Sequence, residues 1–204
     1  MTCRALAIAP LAAALCLANS LCATAQPVQW SGNDHWYEAV YVPTCISWSA
    51  ARDAAESAGG YLATVTSEQE NAFVYGLVDE EMFWHFKDNN NGPWLGAYQD
   101  HSSPDYSEPG DGWRWVTGEG FDYTNWAAVQ PDNGGSSGED CLHFWGSPED
   151  GRTSNWNDAP DAEPIYGYVV EYDVIPEPAS ALPVLTGFSM LAAACWRKQH
   201  QFKA

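Results

Sequence analysis

Apolar and polar positions alternate from Trp36 to Val42 (WYEAVYV), the period of a strand with one buried face. The period then lengthens to three and four. Trp48, Ala51, Ala55 and Ala58 recur on one helical face, which predicts a helix over 47–58. Gly59-Gly60 ends it, because glycine reaches the left-handed conformation of a helix C-terminus without steric penalty. Ser67-Glu68-Gln69-Glu70 has the Ser-x-x-Glu spacing of a capping box and opens a second helix through Phe73, Val74 and Leu77. From Trp94 onward, Gly, Pro, Asp and Ser interrupt brief apolar stretches, so this half reads as short strands and long loops. Tyr166–Tyr172 (YGYVVEY) reads as a last strand. Strand, helix, helix and then many short strands make an α+β domain.

The two ends follow other patterns. Residues 1–25 carry one positive charge, Arg4, then an apolar run from Ala5 to Leu17 and the small-x-small sequence Ala23-Thr24-Ala25. This is the layout of a secretory signal peptide, cut after Ala25. Residues 174–204 hold Pro176-Glu177-Pro178, the predominantly apolar run Ala181–Trp196 and the basic pair Arg197-Lys198. The run reads as a short transmembrane helix, under the roughly 20 residues that span a bilayer comfortably, and the basic residues fit a cytoplasmic stop. Pro-Glu-Pro, apolar helix and basic tail together resemble the PEP-CTERM sorting signal of Gram-negative bacteria. That resemblance implies recognition and cleavage by a membrane exosortase, with release or anchoring outside the cell. Residues 27–173 are then one exported domain.

Charge narrows the partners. The chain holds 8 Lys or Arg against 27 Asp or Glu, a formal charge of −19. Such a surface repels nucleic acid and anionic membranes. The composition is 46% hydrophobic with eleven Trp, enough apolar area for a packed core rather than disorder. Of six Cys, only Cys45 and Cys141 lie in the exported part, so this is not a disulfide-dense scaffold. The two can pair or stay as buried thiols.

One stretch gathers side-chain oxygens without a cation. Gln130-Pro131-Asp132-Asn133 and Glu139-Asp140 flank a Gly/Ser-rich loop, and Trp156-Asn157-Asp158 follows after Cys141. An oxygen-only cluster suits a hard cation, and calcium takes about 6–8 oxygens from carboxylates, amides and backbone. Asp132, Glu139 and Asp158 offer negative charge; Gln130 and Asn157 offer neutral amide oxygens. Pro131 holds Gln130 extended.

These segments resemble the C-type lectin domain. Trp48, Ala51, Gly59–Ala63 and Ser67-x-x-Glu70 match its helical half, and Trp94-Leu95-Gly96 its Trp-Ile-Gly core. Trp115–Gly118 and Tyr123–Trp126 look like its next two strands. Gln130-Pro131-Asp132, Glu139-Asp140-Cys141 and Trp156-Asn157-Asp158 look like its calcium and sugar loop. The match runs from about Trp30 to Tyr172. It implies two helices plus small antiparallel sheets with a long calcium- and sugar-binding loop. It also implies a cis bond before Pro131 and calcium held by Gln130, Asp132, Glu139, Asn157 and Asp158, with Trp156 buried beneath. Gln130, Asp132, Glu139 and Asn157 would also hydrogen-bond two vicinal sugar hydroxyls. Asn133 and Asp140 fall at positions of a second calcium, to be completed from Asp100, Asp105 or Asp111. Two family bridges are missing: Ala55 and Val170 replace one Cys pair, and no Cys follows Asp158 to staple Cys141.

The order Gln-Pro-Asp accompanies galactose-type ligands in that family, so the expected partners are galactose or N-acetylgalactosamine glycans, including exopolysaccharide. A Trp that usually stacks on such a sugar is missing after the motif, which leaves Trp145 or another ring to substitute. Catalysis is not expected. No carboxylate sits in an evidently apolar setting that would raise its pKa, and His35, His85, His101 and His143 show no metal-ligand spacing or nucleophile partner. The alternative to a calcium-dependent lectin is a lectin-like protein that binds protein, or coats the surface, without calcium.

Overall fold

The computed structural model describes residues 26–84, 91–134, 136–149 and 151–175. The expected signal peptide and, beyond Ile175, the expected sorting signal with its apolar helix lie outside these residues. Among the described residues, no helix is long and apolar enough to cross a membrane.

β1 (Val28–Gln29) leads into β2 (Trp36–Ile46), which continues past the alternating stretch. Helix α1 (Trp48–Ser57) follows as expected, with the Ser47 hydroxyl accepting from the Ala50 N–H at 3.2 Å and Gly59 taking φ 86° just beyond the end. After β3 (Tyr61–Leu62), helix α2 (Glu68–Val78) begins at Ser67, whose hydroxyl accepts from the Glu70 N–H. The return arm of the box differs from the expected form. Glu70 Oε2 accepts from the N–H and hydroxyl of Thr66, one residue earlier, at 2.7 and 2.9 Å. The Glu70 side chain is thereby drawn into the core and left 2% exposed.

A 3-10 turn (Glu81–Phe83) precedes β4 (Trp94–Gln99), β5 (Trp113–Trp115), β6 (Cys141–Ser147), β7 (Gly151–Ala159) and β8 (Ile165–Tyr172). The strands do not form separate small antiparallel sheets. They join in one eight-stranded sheet, in the order β1-β2-β8-β4-β6-β7 with β3 on β8 and β5 on β4. β4 and β8 run parallel, and the other pairs antiparallel. The physical reason lies in β8, almost entirely buried, with both faces covered, as strands in parallel pairing usually are. Tyr168, Val170 and Tyr172 share a cluster with Trp48, Ala51 and Ala55 of α1, whereas Val169 joins Val74 and Val78 of α2. Ala55 and Val170, which stand where a bridge is missing, are thus both in that apolar cluster. Gly96 of the Trp-Leu-Gly segment lets β4 approach the loop after β3, since a Cβ there would lie 2.3 Å from the Leu62 carbonyl oxygen.

Of the two strands expected here, Trp115–Gly118 overlaps β5 only at Trp115, and Tyr123–Trp126 reduces to a single bridge between Trp126 and Trp156. This part of the long connection from β5 to β6 is held by rings instead of a ladder. Phe121, Tyr123 and Trp126 all contact the Trp156 ring at centroid distances of 5.4–6.2 Å, and Phe121 and Trp126 also contact Trp113. The Asn125 amide donates to the Ser154 carbonyl. Trp156 is fully buried, and its indole N–H donates to Asn71 of α2 at 2.7 Å. Buried Trp rings are retained where the N–H finds such a partner; Trp48 and Trp94 do the same with the carbonyls of Leu95 and Ile46.

Candidate functional site

The β6–β7 hairpin sets the position of two expected ligands. Its register places His143 opposite Asn157 and Leu142 opposite Asp158. Asp158 is 1% exposed, and its carboxylate accepts from the backbone N–H groups of Asp132 (3.1 and 3.2 Å) and Asn133 (2.8 Å). These bonds fasten the loop 130–140 onto the sheet. Within the loop, the Gly134 N–H donates to Glu139 Oε2 at 2.7 Å and to Asp132 Oδ1 at 3.0 Å. The Glu139 N–H donates in turn to Asn133 Oδ1 at 2.9 Å. The peptide bond between Gln130 and Pro131 is cis, as the resemblance implied.

Folding so brings Asp132, Glu139 and Asp158 together, with one carboxylate oxygen from each within 4.8 Å of the others. Two more expected ligand atoms stand out for a different reason. Gln130 Oε1 and Asn157 Oδ1 are buried and without a hydrogen-bond partner. Such atoms are uncommon in folded proteins, because an unpaired buried acceptor costs about 1–3 kcal/mol. Five oxygens from five expected residues, two of them unpartnered, fit a hard cation such as calcium.

The electrostatics agree with that fit. Burial, opposed by the Gly134 N–H and reinforced by the charges of Asp158 and Asp132, pushes the Glu139 carboxyl up to about 7. Burial also raises Asp158, against the backbone N–H groups of Asn133 and Asp132. A third raised carboxyl lies elsewhere. Glu171, buried on β8, is pushed up to about 7, chiefly by desolvation. The expectation that no carboxylate has an apolar setting is therefore overturned. Tertiary packing, rather than the neighbouring sequence, creates the setting.

Other expected residues have separate partners. Asn133 bonds within the loop as above, while Asp140 Oδ1 lies 2.8 Å from His101 Nε2. Asp100 accepts from the N–H and hydroxyl of Ser102, and Asp105 pairs with Arg114. The set gathered around Asp140 is His101 and Glu108, not Asp100, Asp105 or Asp111. Cys45 and Cys141 are free, and burial pushes the Cys141 thiol up, which keeps it protonated. Trp145 is half-buried on β6, past the His143–Asn157 pair in the direction of the hairpin turn.

Two features escaped sequence reasoning. His143 is fully buried and touches Asn157, and burial lowers its pKa to about 4, so the ring is neutral. Its only sequence signal was its place two residues after Cys141. The second is a buried polar network. The Tyr37 hydroxyl lies 2.6 Å from Glu70 Oε1 and 3.0 Å from Glu171 Oε1, and His35 Nδ1 lies 2.6 Å from the same Glu171 oxygen. Its members come from three distant parts of the sequence, His35 with Tyr37, Glu70 and Glu171, and Glu70 was concealed as a capping residue.

The sequence matches the family model described as the Lectin C-type domain over residues 44–167. It is 29% identical over 130 residues to perlucin-like protein of Mytilus galloprovincialis, covering 63% of this chain and 72% of that one. It is 28% identical over 144 residues to asialoglycoprotein receptor 1 of Mus musculus, covering 66% of this chain but only 40% of the receptor. In structure it is similar to the carbohydrate-recognition domain of the mouse scavenger receptor C-type lectin, with a TM-score of 0.52, 22% identity and coverage of 71% of this chain and 93% of that one. The fold, the cis bond before Pro131 and this match lead to one conclusion: the chain belongs to the C-type lectin domain family.

Proposed function

We propose that this protein is an exported, calcium-dependent carbohydrate-binding protein with a preference for galactose-type glycans. The observation that carries the reading is the convergence of three carboxylates, Asp132, Glu139 and Asp158, together with two buried, unpartnered amide oxygens, Gln130 Oε1 and Asn157 Oδ1, on residues of the same two loop and strand segments. Gln130, Asp132, Glu139, Asn157 and Asp158 would hold the ion. Calcium would supply positive charge toward which sugar hydroxyl oxygens are drawn. The side chains supply the selectivity. With its oxygen turned inward, the Gln130 amide keeps its N–H groups as donors, while the exposed Asp132 carboxylate can only accept. Donor before acceptor is the galactose-type order; Glu followed by Asn would reverse it. The names of the relatives support a glycan ligand, since one is a receptor of asialoglycoprotein and another a carbohydrate-recognition domain. The absence of a Trp directly after the motif predicts weak monosaccharide binding, because stacking contributes only about 0.5–1.5 kcal/mol per ring.

The leader at 1–25 and the segment 174–204 support delivery to the bacterial cell surface or extracellular matrix, with exosortase acting on the C-terminal signal and exopolysaccharide as a natural ligand source. The domain works as a binding module; no catalytic step is assigned to it. A glycan array probed with calcium and again with chelator tests the reading. Galactose or N-acetylgalactosamine spots that vanish with chelator are expected. Binding untouched by chelator, or competition by mannose and not by galactose, would overturn it.

A further inference from the structure

We propose that His143 is the positioning residue that turns the Asn157 amide oxygen toward the ion site, an inference that rests on the calcium reading above. The argument starts from the ring's two nitrogens. Nδ1 lies 2.6 Å from the Phe144 carbonyl oxygen, which can only accept, so Nδ1 carries the hydrogen. Nε2 faces an amide donor and so presents its lone pair. The atom facing it, at 3.1 Å, is Asn157 Nδ2. The other hydrogen of that amide goes to the Asp158 carbonyl oxygen. Both N–H groups of Asn157 are thus used by the protein, and Oδ1 is the one atom left over, buried and unpartnered.

The reversed amide is disfavoured on two counts. It would set Oδ1 against the Nε2 lone pair, two acceptors with no hydrogen between them. It would also give up the bond to the Asp158 carbonyl. The ring itself cannot turn to relieve this. It is fully buried, with the Trp94 ring set edge-on at a centroid distance of 5.7 Å and an interplanar angle of 83°. His143 and Asn157 are cross-strand partners in the β6–β7 register, so the sheet fixes their separation. This is the arrangement by which groups behind a metal's ligands set their orientation, and loss of such a group typically costs about 10–100-fold in metal affinity.

The test compares the full-length wild type with His143→Leu, which lacks an acceptor, and His143→Gln, whose amide oxygen can take the place of Nε2. Calcium affinity is measured by calorimetry, and melting temperature is measured in chelator. His143→Leu should bind calcium about 10–100-fold more weakly than wild type. His143→Gln should recover most of that loss, although both variants melt lower in chelator. A long-range proton–nitrogen spectrum of the ion-free wild type should show His143 protonated at Nδ1 and bare at Nε2. That spectrum decides the matter even if His143→Leu fails to fold. Overturning results are wild-type affinity in His143→Leu, no recovery in His143→Gln, or a proton on Nε2. These outcomes sink this inference alone when the wild type binds calcium; a wild type that takes no calcium sinks both readings.

Discussion

Replacing Asp158 with Asn separates the two tasks of the site. In the ion-free protein Asp158 faces two other carboxylates, each with an oxygen within 4.8 Å. Two unit charges at that distance repel by about 3.5 kcal/mol at an effective dielectric of about 20. Asp158→Asn removes this repulsion without changing volume. It also gives up a carboxylate that accepts from the Asp132 and Asn133 N–H groups. An Asn oxygen in the Oδ2 position can still accept from both N–H groups, but as a neutral acceptor and without the Oδ1 contact to Asp132, so the loss is about 1–3 kcal/mol. The two effects oppose each other: counting the Asp132 pair alone, because Glu139 is raised to about 7 and keeps much of its proton at neutral pH, ion-free stability should rise by about 0.5–2.5 kcal/mol. Calcium stabilisation, by contrast, should collapse. If the wild type binds with a Kd of about 10 μM, in the sensor range, then 1 mM calcium (about 100 Kd) adds about 2.7 kcal/mol. For a domain of this size that raises Tm by about 5–10 °C. Scanning calorimetry in calcium and in chelator reads both numbers. Asp158→Asn should lose most of the calcium-induced shift, while Asp105→Asn, whose carboxylate pairs with Arg114 outside the site, should keep it. A wild-type shift in Asp158→Asn would refute the ligand assignment.

Protons should compete with calcium. Glu139 is pushed up to about 7 in the ion-free protein, so the folded ion-free state holds its proton above the unfolded value. Its contribution to stability is present at low pH and lost as pH rises through about 7. Calcium binding needs the carboxylate, so the calcium-induced rise in Tm should grow from pH 5.5 to 7.5, and calorimetry near neutral pH should show buffer-dependent heats from proton release. Tyr37→Phe removes the hydroxyl between Glu70 and Glu171 and should destabilise by about 2–3 kcal/mol in denaturant melts; an unchanged midpoint would refute the network. Val129 is 86% exposed at φ 67°, a conformation β-branched residues avoid, so Val129→Asn should stabilise by about 1 kcal/mol without loss of packing. The paired change Gln130→Glu with Asp132→Asn should move glycan preference toward mannose while calcium titration stays; retention of galactose preference would show that the motif order does not set specificity.

The local features were those the sequence could show. Both helices start at side chains that act within three residues, Ser47 and Ser67, and α1 stops at Gly59, so these boundaries needed no tertiary information. The site was legible for a related reason: its oxygens cluster in two short runs, and an oxygen-rich run without cations is already a chemical statement. What failed was whatever depends on distant neighbours. Tyr123–Trp126 has the residues of a strand, yet it becomes a loop because its rings find Trp113 and Trp156 before its backbone finds a ladder. The raised carboxyls of Glu139 and Glu171 arise chiefly from burial, and Glu171 meets His35, Tyr37, Thr64 and Glu70, all far away in the chain. His143 gives no local hint of its role, since its partner Asn157 comes from the facing strand.

The missing staple brings these threads together. Among the described residues Cys141 forms no disulfide, so no bridge between them restrains the loop. Two other restraints act on it. From below, Trp156 is held by its bond to Asn71 and surrounded by Phe121, Tyr123 and Trp126, which carries the start of the loop onto β7. From within, the Asp132 and Asn133 N–H groups grip Asp158, so a proposed metal ligand is also the clasp of the loop that carries other proposed ligands. Backbone donors spend none of the Gln130 and Asn157 oxygens, which stay unpartnered. Apolar rings and backbone N–H groups therefore fix the geometry while the amide oxygens remain available. A bridge elsewhere in the family can accordingly be lost without loss of the donor set, because the residues that hold the loop and those oxygens draw on different atoms.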